Sequence, residues 1–332
     1  MSNSLQYYMS DIRAEVARRG GAWKEFLRYT NPLELVYSCA VDARRGQMPR
    51  AYFEMLELAS FFGLALAAPA VFCVSLAGRG ALDALATRRG GRLDDLYANL
   101  DLPPTAPLSL ATLVSLRAVY AGGVDIITAD SSSGAAASAP DLWCQIAHAL
   151  CLQKKGGSLV VRVCDVFTHT AVDVLALLAS CYASVVVAKP QVCDSTSSEK
   201  YVVCRGFVFD KYAAFYDILC ASLTSTKLEA VAPDARVLSC AVSLHFMSHV
   251  GVCNAVMGQR QIEAMHAALL LIDGATKPFR LGCIAEANRR RCAEWCERHA
   301  LSVADAPAYA PPTAREGALQ GGEDELPCVV SR

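Results

Sequence analysis

The chain has 332 residues, with 31 Lys and Arg against 32 Asp and Glu, a formal net charge of −1. Its 54% apolar and 19% charged residues provide ample material for a buried core and exclude a mostly disordered chain. The balanced charge excludes nucleic-acid binding driven by overall charge, so any RNA contact must come from a local patch. Fifteen cysteines, odd in number, lie mostly inside apolar runs such as Val71-Phe72-Cys73-Val74. That pattern argues against a small secreted disulfide scaffold and leads us to expect a reducing intracellular compartment, cytoplasmic or organellar.

Residues 1–48 are predicted to be a helical extension, with Ile12, Val16, Trp23, Phe26 and Leu27 at helical spacing. Met1 to Ser10 is polar and holds no signal-peptide core. Ala59 to Gly78 is uncharged over about a bilayer-spanning length. Pro69 and Gly63 interrupt it, however, and neither flank is strongly basic, so a helix end running into a buried strand is expected rather than a membrane span.

Across 49–210, β-rich runs alternate with Ala/Leu-rich helical stretches. The runs are Val71–Leu76, Val124–Ala129, Ser158–Val163, Ser184–Val187 and Tyr201–Phe207, and helices are predicted over Leu142–Leu152 and Thr170–Cys181. This alternation predicts an α/β domain with a largely parallel sheet. Only a loop, Ala188 to Lys200, separates the last two runs, so they are expected to form an antiparallel edge pair. Residues 86–123 show no convincing strand. Residues 211–303 are predicted to be a helical C-terminal region ending in Ala287–His299. Residues 304–332, with Pro311-Pro312 and Gly321-Gly322, are predicted to be a flexible tail.

From Gly156 the chain reads GGSLVVRVCDVFTHTAVDVLALLASCYASVVVAKPQVCDSTSSEKYVVCRGF. Upstream lie Asp125-Ile126-Ile127-Thr128-Ala129-Asp130 and Arg50-Ala51-Tyr52-Phe53-Glu54-Met55-Leu56-Glu57-Leu58. Together these resemble the FtsJ family of S-adenosylmethionine-dependent RNA ribose 2′-O-methyltransferases. They are closest in pattern to cap-type members of large DNA viruses and protists, over roughly residues 48–210. The resemblance implies a doubly wound, Rossmann-like methyltransferase sheet with an antiparallel edge strand and helical extensions at both ends.

Ribose methylation needs a 2′-oxygen made nucleophilic and held in line with the cofactor's methyl group. A lysine of depressed pKa can accept the proton. The family uses a Lys-Asp-Lys-Glu tetrad, which maps onto Glu54, Asp130, Arg162 and Glu199 here. Both carboxylates are kept and neither lysine is. Arg162 stays protonated at physiological pH and cannot act as the base. Asp130, Arg162 and Glu199 are expected to touch one another, with Glu54 facing them.

The resemblance also places the cofactor turn at Val74–Asp83, with Ser75, Ala77, Gly78, Gly80 and Asp130 as cofactor-binding positions for S-adenosylmethionine. Leu76 replaces a polar residue of the family pattern, and Arg79 puts bulk where the family keeps small residues. Lys189 and Lys200 are near the site in sequence but fall at non-catalytic family positions.

Cys292, Cys296 and His299 share one helical face, with Cys283 the only near fourth ligand, and are expected to be core residues; no metal site is predicted. His245 and His249, four apart without the Glu of a metalloprotease helix, are expected to be packing or surface residues. Arg289-Arg290-Arg291 and Arg88-Arg89-Gly90-Gly91-Arg92 are short basic clusters, either solvated helix ends or RNA contacts. The expected function is that of a catalytically impaired family member acting as an RNA-binding or scaffold subunit. Its partner would be an active methyltransferase or a larger RNA–protein assembly, with no membrane contact and no DNA specificity. The alternative is an active RNA 2′-O-methyltransferase with an altered site.

Overall fold

A computed structural model of the chain describes residues 3–41, 46–64, 68–76, 78–100, 110–120, 123–129, 139–210, 236–273, 278–303 and 328–330. In chain order, α1 (Asn3–Thr30), α2 (Val36–Cys39) and β1 (Ala40–Val41) precede α3 (Arg50–Phe62), β2 (Phe72–Ser75), α4 (Gly80–Arg88) and β3 (Leu96–Asn99). Then come α5 (Leu110–Val119), β4 (Val124–Ala129), α6 (Ala139–Leu152), β5 (Gln153–Val163), α7 (His169–Cys181), β6 (Tyr182–Ala188) and β7 (Lys200–Phe207). The C-terminal region holds α8 (Leu244–Asp273), α9 (Pro278–Arg298), β8 (Ser302–Val303) and β9 (Cys328–Val330).

The main sheet has the order β3-β2-β4-β5-β7-β6-β9. Strands β3, β2, β4 and β5 are parallel, and β7 runs antiparallel to both β5 and β6. The last two predicted runs therefore pair antiparallel as expected, with β7 inserted between β5 and β6. The outermost antiparallel member is β9, which lies inside the segment predicted to be a tail and pairs with Val185–Val187. The short strand β3 falls in the stretch where none was predicted.

Two apolar layers flank the sheet. On one face Leu159, Val161, Val202 and Cys204 pack with Ile146 and Leu150 of α6, Leu175 and Leu178 of α7, and Phe246 and Val250 of α8. On the other, Cys73, Ile126, Val160, Tyr201 and Val203 pack with Phe53 and Leu56 of α3, Leu82 and Leu85 of α4, and Trp295 of α9. The alternation of strand residues between the two layers follows from the pleat. Helices on both faces make the sheet doubly wound.

The two extensions are laced together. Met9 and Ile12 of α1 pack on Ile262, Met265 and Leu269 of α8. Strand β1 pairs with β8. The α1 path kinks at Gly20, whose φ of 47° and ψ of −109° are non-helical. Arg13 forms a fork with Asp165 at 2.6 and 3.0 Å, docking α1 on the loop that follows β5.

Within the uncharged stretch 59–78, the described residues hold the end of α3 and strand β2. Among the described residues no helix is long and apolar enough to cross a membrane.

Candidate active site

Glu54 enters the site from α3, which Pro49 opens in an extended conformation and Gly63 closes in the left-handed region. Its carboxylate is buried, 3% exposed. The Tyr201 hydroxyl donates to Oε2 at 2.5 Å. The Tyr37 hydroxyl lies 3.2 Å from Oε1 and 2.8 Å from the Val192 carbonyl, sharing one proton between two acceptors. Burial, reinforced by the Glu54 charge, holds the Tyr37 phenol far above its usual pKa, so it stays a donor. The Arg50 guanidinium covers the Tyr37 ring at 4.2 Å.

Arg162 Nη1 donates to Glu199 Oε1 at 3.0 Å at the carboxyl end of β5. Arg162 stands directly across the ladder from Tyr201, so their side chains share a face of the sheet. Tyr201, the strand neighbour of Arg162, thus joins Glu54 to β7, and three of the four mapped tetrad positions fall among the described residues. The fourth, Asp130, is outside the described residues. What this arrangement can do is limited. A permanently protonated guanidinium and a carboxylate already engaged by two phenols supply no lysine-like base.

Two lysines lie nearby, both donating to backbone carbonyls. Lys189 Nζ donates to the Ser197 carbonyl at 2.5 Å. Lys200 lies opposite Val163, on the other face from Arg162, and donates to the carbonyls of Ser198 and Cys164 at 2.9 and 3.3 Å. Burial pulls its pKa down to about 8, against the opposing pull of Asp165. A lysine whose folded pKa lies below its unfolded value costs stability while it is charged, and that cost is relieved as pH rises through the folded pKa. Wild type should therefore gain stability relative to Lys200→Met between pH 8 and about 10. Parallel urea melts check this, and a difference that is flat with pH would contradict it.

At the cofactor turn, Gly78 has φ 75° and nothing within 4 Å of where a Cβ would sit, so a ligand could approach its backbone. Gly80 serves packing instead, since a Cβ there would stand 2.7 Å from Pro49 Cγ. Ser75 is fully buried and pairs in register with Thr128 and Asn99. Ala77 is outside the described residues. The Arg79 side chain is 76% exposed and lies 3.5 Å from Asp83 on its own helix. With Leu82, Asp83, Ala86, Tyr97 and Asn99 it lines a small cleft between α4 and β3. The open Gly78 turn, the first turn of α4 and the Asn99 amide suit the methionine and ribose groups of S-adenosylmethionine. The Arg79 cation at the rim does not suit its positively charged sulfonium.

Residues 93–207 match the FtsJ-like methyltransferase family model, a span that includes Arg162 and Glu199. Over that segment, about a third of the chain, the sequence is similar to that family. The chain is similar to the cap-specific mRNA (nucleoside-2′-O-)-methyltransferase 2 of Danio rerio, 38% identical over 92 residues, 25% of this chain and 12% of that protein. It is also similar to the inactive cap-specific mRNA (nucleoside-2′-O-)-methyltransferase 1B of Caenorhabditis briggsae, 35% identical over 63 residues, 19% of this chain and 7% of that protein. The chain therefore spans a small part of these curated relatives. Among solved structures, a Plasmodium falciparum chain assigned as a ribosomal RNA methyltransferase aligns at 17% identity and a TM-score of 0.37, covering 48% of this chain and 98% of that one.

Tyr37 and Tyr201, which hold Glu54, were not anticipated for the FtsJ-like site. Tyr201 was within reach of a register argument, since it faces Arg162; nothing in the sequence around Tyr37 points to Glu54. The Cys292–Cys296–His299 stripe is core, as expected. Burial pushes the two thiols up to about 12 and about 11 and the imidazole down to about 4. The His299 ring lies 4.2 Å from that of Trp295. Among the described residues no three His, Cys, Asp or Glu are grouped to hold a metal. His249 Nδ1 contacts the His245 carbonyl at 2.9 Å on the outer side of α8.

Proposed function

We propose that this chain is a catalytically disabled FtsJ-like protein that has kept its fold as an RNA-binding or scaffold subunit, in a reducing intracellular compartment. The observation that carries the reading is Glu54, which the resemblance maps onto a family lysine position and which is buried and hydrogen-bonded by Tyr37 and Tyr201. Arg162 at the second lysine position, paired with Glu199, points the same way. The similarity to an inactive cap methyltransferase homologue fits this reading, and similarity to cap-specific relatives makes RNA the expected ligand.

The deciding experiment is calorimetric titration with S-adenosylmethionine, combined with transfer of labelled methyl to capped and uncapped RNA. We expect no transfer above background and at most weak cofactor binding. Micromolar binding together with turnover would replace this reading with an active enzyme whose site is altered.

A further inference from the structure

We infer that the amino-terminal end of the sheet, opposite the candidate active site, carries a docking surface for single-stranded RNA centred on Phe61. The inference rests on the reading of the chain as an RNA-binding member and adds where and how the RNA is held.

The helix α3 that buries Glu54 ends about 10 Å further along its axis in a pair of aromatic residues. Phe61 is 61% exposed, and its ring packs against Phe62 at 5.0 Å. An unburied aromatic at a helix end gains nothing for the core and offers a face for stacking. Arg205, from β7, reaches this aromatic pair, and the nearby ends of α4 and α9 carry further arginines. The Arg205 guanidinium, at the end of β7, lies 5.7 Å from the Phe62 ring centroid and donates to the Phe62 carbonyl at 3.3 Å. Arg88 ends α4 and Arg298 lies at the end of α9; after burial, the larger cause, their charges also lower the pKa of His299. The His299 ring lies 3.4 Å from the hydroxyl of Ser60, next to Phe61. Arg92, just after α4, reaches the carbonyls of Ala68 and Pro69.

These four arginines form no ion pair among the described residues, although Asp94 and Glu297 are their chain neighbours. By contrast Arg13, Arg18, Arg19, Arg50 and Arg79 each hold a carboxylate. Guanidiniums without a carboxylate in direct contact, near an exposed aromatic pair, match the requirements of an unpaired nucleic-acid strand: phosphates for the guanidiniums and a base face for the phenyl group. An acidic peptide would use the charge and leave the ring unused.

The test measures binding of the full chain to a fluorescein-labelled 12-nucleotide single-stranded RNA by anisotropy over a salt series. Phe61→Ala should weaken binding about tenfold, with Phe61→Trp restoring it. Arg205→Ala/Arg298→Ala should reduce the slope of log affinity against log salt by about 1.4. Circular dichroism and melting show that the variants fold; Phe61 is exposed, so its replacement leaves the core intact. The inference is overturned if wild type does not bind, if the Phe61 variants bind as wild type does, or if polyglutamate competes as well as RNA. It is also overturned if Arg79→Ala abolishes binding while the double variant retains it, which would place the strand at the carboxyl end of the sheet. Methyl transfer is not read in this assay, so an active enzyme and a disabled one give the same answer to it.

Discussion

Replacing Arg89 with methionine should destabilise the protein by about 3–5 kcal/mol, the range measured when one partner of a buried ion pair is removed. Sequence alone places Arg89 in a basic cluster at a helix end or in contact with RNA. The structure shows it folded inward, with side-chain exposures of 1% for Arg89 and 0% for Asp95. Its Nε and Nη2 form a fork with Asp95 at 2.6 and 2.7 Å, and Nη1 reaches the Ala68 carbonyl. What turns the chain here is the end of α4: Gly90, at φ 74°, lets the Gly90 and Gly91 amides bond back to Thr87 and Ala86.

Without the guanidinium, the Asp95 carboxylate would keep only the Val71 amide and the Tyr97 hydroxyl. The Arg89 hydrogen bonds hold the Asp95 carboxyl below its usual pKa. Its contribution is therefore present above about pH 4 and is lost as pH falls through the folded-state value. Guanidinium melts of wild type and Arg89→Met should differ fully at pH 7 and converge toward pH 3. A loss under 1 kcal/mol at pH 7 would mean the pair is far better hydrated than its burial indicates.

The second large effect concerns the attempt to rebuild the family's lysines. Glu54→Lys/Arg162→Lys should leave methyl transfer at background and lower stability by about 3 kcal/mol. Tyr37 and Tyr201 are arranged around a carboxylate, and hydrogen bonds to a charged acceptor contribute about 1.5–3 kcal/mol each. An ammonium at position 54 removes both acceptors and adds a buried cation. Arg162→Lys alone should be close to neutral, since a lysine can still reach Glu199. A base also accelerates nothing without a bound methyl donor, so Arg79→Gly and Ala77→Gly would be needed in addition. Labelled-methyl transfer and thermal melts on the single, double and quadruple variants check this. Robust transfer by the double variant would show that the cofactor pocket works as it stands.

The fold was legible wherever the period of the sequence was strong. Val124–Ala129 is a strand at both expected ends, and Thr170–Cys181 falls within α7. The strand β3 was missed because Leu-Tyr-Ala-Asn is short and only partly buried at a sheet edge, leaving little apolar contrast. The start of β5 was missed because Gln153-Lys154-Lys155 is polar and carries no strand signal of its own; its pairing comes from the neighbouring strand β4. Glu54, Arg162 and Glu199 were singled out by family resemblance alone. What Glu54 does could not, because its partners come from α2 and β7, far apart in sequence and joined only by the tertiary fold.

The lacing of the two extensions has a consequence for how the protein is made. Tyr8 meets His266, Arg19 meets Asp273 and Cys292 meets the Pro32 carbonyl, contacts separated by 258, 254 and 260 residues. At a synthesis rate of 5–20 residues per second, the first helix waits roughly 10–50 s for its partner to leave the ribosome. Through that interval Met9 and Ile12 stay wet, and a chaperone or a neighbouring nascent chain can reach them first. Closure of these distant contacts, more than formation of the α/β sheet, should set the pace of maturation and the yield of soluble protein.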